Sequence, residues 1–280
     1  MSDHNGAPGE VPLAHLDPEE KAARAGSFGG VAAAYERYRP GPPLAAVDWF
    51  LPQRVERVVD LGAGTGALTR LLVGRADEVV AVEPDERMRA VLAEQVPGAR
   101  AVEGRGEAMP LPDAGVDAVI ASTSWHWMDP VPALTEVARV LKPGGFLGAI
   151  WSGPDRDGEF LTQAQALLKE QATSGGGDDG EDMTALIMGD VDRQASILEI
   201  PEGVAFSPPQ HETFKWDMAL TADDLMGLLG TFSWFITMDE TTRTRAITEA
   251  RRLLRELLGV EGEVTVDVAF RAEAFRSHPR

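Results

Sequence analysis

The chain contains no cysteine among its 280 residues. Disulfides, thiolate metal sites and cysteine nucleophiles are therefore excluded. Histidine is scarce too. The five present (His4, His15, His126, His211 and His278) are scattered without the spacing of a metal site, so no metal is expected. Basic residues number 26 against 45 acidic ones, for a net charge of −19. That balance disfavours a partner held by phosphate neutralisation, so no nucleic acid is expected. No apolar run is long enough to cross a bilayer, and no membrane partner is expected. Residues 1–20 are polar and rich in Gly, Pro and acids, unlike a secretory signal. A cytoplasmic location is the resulting expectation.

What is present is globular material. The chain is 44% hydrophobic and 25% charged, enough for a substantial core. Residues 1–25 read as a disordered or loosely attached tail, and 26–280 as a single domain. Helical patterns at Val31–Tyr38 and Leu44–Phe50 flank Pro40-Gly41-Pro42-Pro43. Strands and helices then alternate. Strands are predicted at Arg57–Leu61, Glu78–Glu83, Arg100–Glu103, Ala114–Ser122 and Phe146–Trp151. Helices are predicted between them at Ala67–Val73, Glu86–Gln95 and Val131–Leu141. Apolar runs without strict alternation suit a parallel sheet covered on both faces. The expectation is an α/β fold, a Rossmann-like doubly wound sheet of seven strands.

Beyond Trp151 the rhythm changes. A helix is expected over Phe160–Gln171, an acidic glycine-rich loop over residues 174–180, and mixed helical signals over 183–199. Thr213–Met218 and Val264–Ala269 are expected as the last two strands, paired antiparallel. Thr221 with Asp224 reads as a helix start, and a long helix spans Glu240–Leu258. By region, 26–50 is expected as an N-terminal lid, 51–151 as the cofactor-binding core, 155–210 as a substrate cap and 211–280 as C-terminal strands and helices.

The chemistry concentrates in Asp60-Leu61-Gly62-Ala63-Gly64-Thr65-Gly66. A strand, a tight glycine turn and a helix start suit close approach of a small charged ligand. Read as G-x-G-x-x-A with Glu83 about 20 residues on, the turn fits a dinucleotide. Asp60 two residues before the first glycine favours another ligand. A carboxylate there attracts an ammonium and repels a pyrophosphate.

Five segments together carry a resemblance. They are Asp60–Gly66, Glu83-Pro84, Glu107–Asp113, Asp117–Ala121 and Leu141-Lys142-Pro143-Gly144-Gly145. In this order they resemble the motifs of class I methyltransferases that use S-adenosyl-L-methionine (SAM), in the type 11 branch. The resemblance covers about residues 30–151 and implies SAM as cofactor, with S-adenosyl-L-homocysteine as product. It implies that Asp60, Gly62, Ala63 and Gly64 wrap the methionine and ribose portions. Glu83 would hold the ribose hydroxyls, and Pro84 and Met88 would flank the adenine. Gly106 and Glu107 align with the adenine-edge loop. Relatives often carry Asp-Ala-Glu there, whereas this chain has Arg105-Gly106-Glu107. Ser122 opens the loop after the fourth strand and joins the cofactor set.

In that loop His126 is the candidate base or substrate contact, and Trp125 and Trp127 are candidate pocket walls. Tyr35-Glu36-Arg37-Tyr38-Arg39-Pro40 is similar to a motif of trans-aconitate-methyltransferase-like enzymes. It makes Tyr35 and Arg39 candidates for the cofactor carboxylate or an acidic substrate. Trp234 is a further pocket candidate, together with Trp216. The implied activity is methyl transfer to a small-molecule acceptor, expected at oxygen. A SAM-binding protein with non-methylating chemistry is the alternative.

Overall fold

In the computed structural model, residues 32–164, 166, 197–236, 238–258 and 265–280 are described. The expected tail at 1–25, the acidic loop at 174–180 and most of 183–199 lie outside the described residues, as does the second half of the helix expected at 160–171.

Strand β1 (Val55–Leu61) lies between β2 (Ala76–Val82) and β4 (Val116–Ser122), parallel to both. The short β3 (Arg100–Val102) extends the sheet beyond β2. On the other side β4 pairs with β5 (Leu141–Pro154), again in parallel. The last two strands, β6 (Gln210–Thr221) and β7 (Thr265–Ser277), complete the order β3-β2-β1-β4-β5-β7-β6. β7 runs antiparallel to both β5 and β6. This is the expected seven-stranded, Rossmann-like sheet.

The central strands have two apolar faces because helices cover both. On one face Val59, Leu61, Val80, Val82 and Val119 meet Leu134, Val137 and Val140 of α5 (Pro130–Val140). On the other, Val58 and Ile120 meet Val47 and Phe50 of α2 (Leu44–Phe50) and Leu72 of α3 (Thr69–Leu72). Side chains alternate along a strand, so Asp60 shares the face of Val58 and is carried into the interior beside α3.

Helix α4 (Glu86–Gln95) has the expected bounds and is capped by Asp85, which accepts from the Arg87 and Met88 amides. The helix expected at 67–73 is shorter, because Gly66 (φ +97°) closes a turn first. The fifth strand begins at Leu141, not Phe146. Its partner advances from Val116 to Ala118 while β5 advances from Leu141 to Phe146, so Lys142-Pro143-Gly144-Gly145 is a bulge within the strand. Lys142 uses the bulge to reach Glu56 (2.7 Å) and Asp117 (3.0 Å). β6 and β7 outrun the expected segments because they pair continuously from Gln210–Arg276 to Thr221–Thr265. The sheet edge tolerates polar residues such as Gln210, His211 and Glu212, which hid the start of β6.

Helix α1 (Ala32–Tyr38) packs on α4 and on α6 (Ala222–Leu229). The Tyr38 ring occupies the space a Cβ on Gly227 would need. Glu36 of α1 ion-pairs with Arg70 of α3, and Gly41 lies against the Ala67 carbonyl. The N-terminal segment is thereby laid across the glycine turn. α6 starts with the expected capping box of Thr221 and Asp224. The short α7 (Ser233–Ile236) and the long α8 (Glu240–Leu258) follow it. Among the described residues no helix is long and apolar enough to cross a membrane.

Candidate functional site

The carboxyl ends of β1, β2 and β4 converge on the glycine turn. The Gly62 and Ala63 amides donate to Val82 O (2.8 and 3.1 Å), so the turn is bonded to the end of β2. Gly62, Gly64 and Gly66 all have positive φ (+68°, +56° and +97°). Their surroundings differ. A Cβ on Gly62 would stand 2.5 Å from Ser124 Cβ, and one on Gly66 would stand 2.9 Å from Val96 Cγ2. A Cβ on Gly64 would meet nothing within 4 Å. The outer corner of the turn therefore opens onto space while its inner corners are packed.

Gly62→Ala is accordingly expected to cost about 2–4 kcal/mol, combining a left-handed backbone with a steric clash. Gly64→Ala should cost about 1 kcal/mol, from the backbone alone. Denaturant unfolding of the two variants checks this, and equal losses would contradict the packing difference.

Two acids frame the turn. Asp60 is fully buried. Its Oδ2 accepts from Thr69 Oγ1 at 2.6 Å, and its Oδ1 has no hydrogen-bond partner. Burial pushes its carboxyl up to about 7, with the nearby Glu83 adding to the rise and the Thr69 bond opposing it. Glu83, just past β2, is 8% exposed. Its Oε2 accepts from the Gly64 amide and its Oε1 from the Asp85 amide, both at 2.9 Å. Burial raises this carboxyl too, against those two amide bonds. A carboxylate has about four acceptor directions, so two remain on Glu83. Neither acid has an ion-pair partner among the described residues. Thr65, inside the turn, is buried with an unpartnered hydroxyl.

These features fit a ligand with a cationic group and a vicinal diol. They comprise an orphaned carboxylate oxygen, a second acid with spare acceptor directions and a glycine corner with room in front of it. Among the described residues no cluster of acids and histidines is arranged to hold a metal.

The other expected cofactor residues lie around the same turn. Pro84 is exposed and Met88 buried, at the start of α4. Gly106 is packed so tightly under Met128 that a Cβ would stand 2.3 Å from its Sδ. Glu107 accepts the Asp129 amide at 2.8 Å, so part of its capacity goes to the start of α5. Ser122 ends β4, partly buried. Arg39 stacks on Tyr35 and on Phe232, 5.7 and 4.4 Å from the ring centres. It thus links the N-terminal segment to the chain after α6.

The 3₁₀ turn Trp125–Trp127 follows β4. Trp125 is buried in the core, whereas His126 and Trp127 are partly exposed with rings 4.8 Å apart. Trp151 Nε1 donates to His126 Nδ1 at 3.0 Å. An indole N–H cannot accept, so the Nδ1 lone pair of His126 is already engaged. The Trp234 side chain lies outside the described residues. Trp216, on β6, packs against Phe270 in the core.

Four contributors escaped the sequence reading. Ser124 is buried and its Oγ donates to Leu61 O at 2.6 Å, joining the loop after β4 to the end of β1. Met128 touches both Gly62 and Gly106. Thr69 bonds Asp60, and Trp151 bonds His126. A hydroxyl one helical turn past a glycine loop hints at Thr69. The others depend on tertiary contacts that no spacing encodes.

Comparison with known proteins agrees with this geometry. A family model for a methyltransferase domain matches residues 59–149. Uncharacterized methyltransferases of Mycobacterium tuberculosis (strain H37Rv) and Mycobacterium bovis are each 39% identical over 228 residues, covering 81% of this chain and 85% of theirs. The malonyl-[acyl-carrier protein] O-methyltransferase of Methylococcus capsulatus is 35% identical over 165 residues, 55% of this chain and 56% of its own. A solved structure from Anaeromyxobacter dehalogenans, provisionally classed as a type II methyltransferase, shares the fold. Its TM-score is 0.58 at 23% identity, covering 85% of this chain and 97% of that one. Turn, acids and relatives agree: the chain belongs to the class I SAM-dependent methyltransferases, in the type 11 branch.

Proposed function

We infer that the protein transfers the methyl group of SAM to an oxygen atom of a small-molecule acceptor, in the cytoplasm. The observation that carries the donor half is the pair of buried acids at the glycine turn, one with an orphaned oxygen and one with acceptor directions to spare. In this reading Asp60 attracts the donor's ammonium. The Gly62, Ala63 and Gly64 backbone lets the ligand approach, and Glu83 holds the ribose hydroxyls through its remaining lone pairs. Pro84 and Met88 wall the adenine, with Gly106, Glu107 and Ser122 at its edge. Tyr35 and Arg39 close over the donor carboxylate or an acidic acceptor.

Bound SAM supplies a methyl group already activated by its sulfonium charge. The protein's task is then mainly alignment, which can supply several kcal/mol through proximity. The N-terminal segment, pinned by the Glu36–Arg70 pair and the Arg39–Phe232 stack, excludes water from one side. The Trp125–Trp127 turn lines the acceptor side, and the sequence reading adds Trp234 as a further wall.

Oxygen is supported by the relative named a malonyl-[acyl-carrier protein] O-methyltransferase. Small size is supported by the aromatic edge, and the net charge of −19 argues against nucleic acid. Residues 26–280 act as one catalytic domain in this reading. The test is label transfer from methyl-tritiated SAM to a panel of carboxylic acids, phenols, alcohols and amines. Labelled esters or ethers are expected. Label appearing only on amines or nucleic acid would contradict the reading.

A further inference from the structure

β5 outruns β4. Their pairing ends at Ser122 and Ile150, while β5 continues to Pro154 paired with β7 alone. The direction of its backbone groups follows from two bonds. The Thr123 amide donates to Ile150 O and the Asp155 amide to Ala269 O, both at 2.7 Å. Backbone groups alternate in direction along a strand. Trp151, Gly153 and Asp155 therefore face β7, and Ile150, Ser152 and Pro154 face the β4 side. The next rung would take the Ser152 amide to the Thr123 carbonyl, and that bond is not made. Thr123 has φ +52°, a left-handed backbone that a β-branched residue rarely adopts. It turns the chain away and leaves a notch at the end of β4.

The Ser152 hydroxyl adds a second donor. Ile150 belongs to the core face that carries Val58, so Ser152 stands on the face of Asp60 and Ser122. Its Oγ is buried with no hydrogen-bond partner. A buried polar group without a partner is destabilising, and such groups concentrate where a ligand completes them. No acid competes from the same stretch of chain. Asp155 faces β7 and ion-pairs with Lys215 at 2.7 Å. β4 separates β1 from β5, so the notch and the glycine turn flank the end of one strand.

We propose that the Ser152 amide and hydroxyl hold a carboxylate of the methyl acceptor, which makes Ser152 a specificity-determining residue. The proposal rests on reading the protein as a methyltransferase with its donor at the glycine turn. One carboxylate oxygen takes the amide N–H and the other takes the hydroxyl. The acceptor class is a small carboxylic acid, seated across the end of β4 from the donor.

The full-length protein labelled with ¹⁵N-serine tests the subsite without any methyl transfer, with the Ser152 amide signal assigned by its loss in Ser152→Ala. Sodium propionate and sodium benzoate should each shift that signal saturably, and sodium chloride at equal ionic strength should not. A Ser152 signal that neither carboxylate moves, or that chloride moves equally, would overturn the subsite. Tritiated SAM and a panel of carboxylic acids then give the kinetics. Ser152→Ala should raise the acceptor KM about tenfold and hold kcat within about threefold. It should keep S-adenosylhomocysteine affinity within about twofold and unfold at or above the wild-type midpoint, because an unpaired hydroxyl has gone. An unchanged KM would overturn the proposal. So would a fall in midpoint and S-adenosylhomocysteine affinity together, the pattern of a purely structural hydroxyl. A wild type that labels nothing removes the methyl-transfer reading itself, a result distinct from the amide titration.

Discussion

Replacing Asp60 with Asn should make the ligand-free protein more stable at pH 8 while abolishing tight cofactor binding. The sign follows from where the acid sits. Burial raises Asp60 from its ordinary value of 3.8 to about 7. Between about pH 4 and 7 the folded protein therefore keeps a proton that the unfolded chain has released. Stability falls as pH rises through that window and levels off above the folded value. Asn never ionises and still offers an oxygen to Thr69 Oγ1, so the variant escapes this cost. The gain should be about 2–4 kcal/mol at pH 8 and clearly smaller at pH 5. Thermal unfolding at the two pH values measures it. A variant no more stable than wild type at pH 8 would show that the acid is not strained by burial. Affinity for the cationic donor should fall in parallel, because the orphaned Oδ1 is the charge proposed to attract its ammonium. The ammonium requires the ionised acid, so wild-type affinity should itself weaken as pH drops below about 7.

The second large effect is expected at Glu83. Glu83→Ala removes the acid assigned to the ribose hydroxyls, and charge-assisted hydrogen bonds contribute about 1.5–3 kcal/mol each. A loss of about 100-fold in S-adenosylhomocysteine affinity is expected by calorimetry. The Gly64 and Asp85 amides also lose their acceptor, so a stability loss of about 1–3 kcal/mol should accompany it. Glu83→Gln separates the two effects, since it can still accept from one of the amides but lacks the charge. Unchanged affinity in Glu83→Ala would contradict the ribose assignment.

The glycine turn and its acids were legible because their signals are local. Behind an apolar strand, an acid, three alternate glycines and a second acid after the next strand occupy 24 consecutive positions, Asp60 to Glu83. The alternation of strands and helices gave the sheet through β5 for the same reason. Legibility fails where a long-range contact decides. Lys142-Pro143-Gly144-Gly145 resembles a turn before a strand, but pairing of Val116 with Leu141 draws it into β5 as a bulge. β6 is an edge strand whose polar residues mask its start, and only its pairing with β7 reveals the full length. His126 reads as a base from its residue type. Its partner Trp151 arrives from another strand 25 residues later and occupies its Nδ1. Ser124 and Met128 matter only because the loop after β4 folds back onto Gly62 and Gly106. Strand–turn–helix grammar thus locates the glycine turn and its acids, while the loop after β4 is written in tertiary contacts.

Titration calorimetry of the full-length wild-type protein with S-adenosylhomocysteine, with NAD as the competing nucleotide, tests the central claim most directly. One site binding S-adenosylhomocysteine in the micromolar range or tighter, with no heat from NAD, is the predicted result. Binding of NAD without S-adenosylhomocysteine would contradict the assignment of Asp60, the glycine turn and Glu83 to the methyl donor.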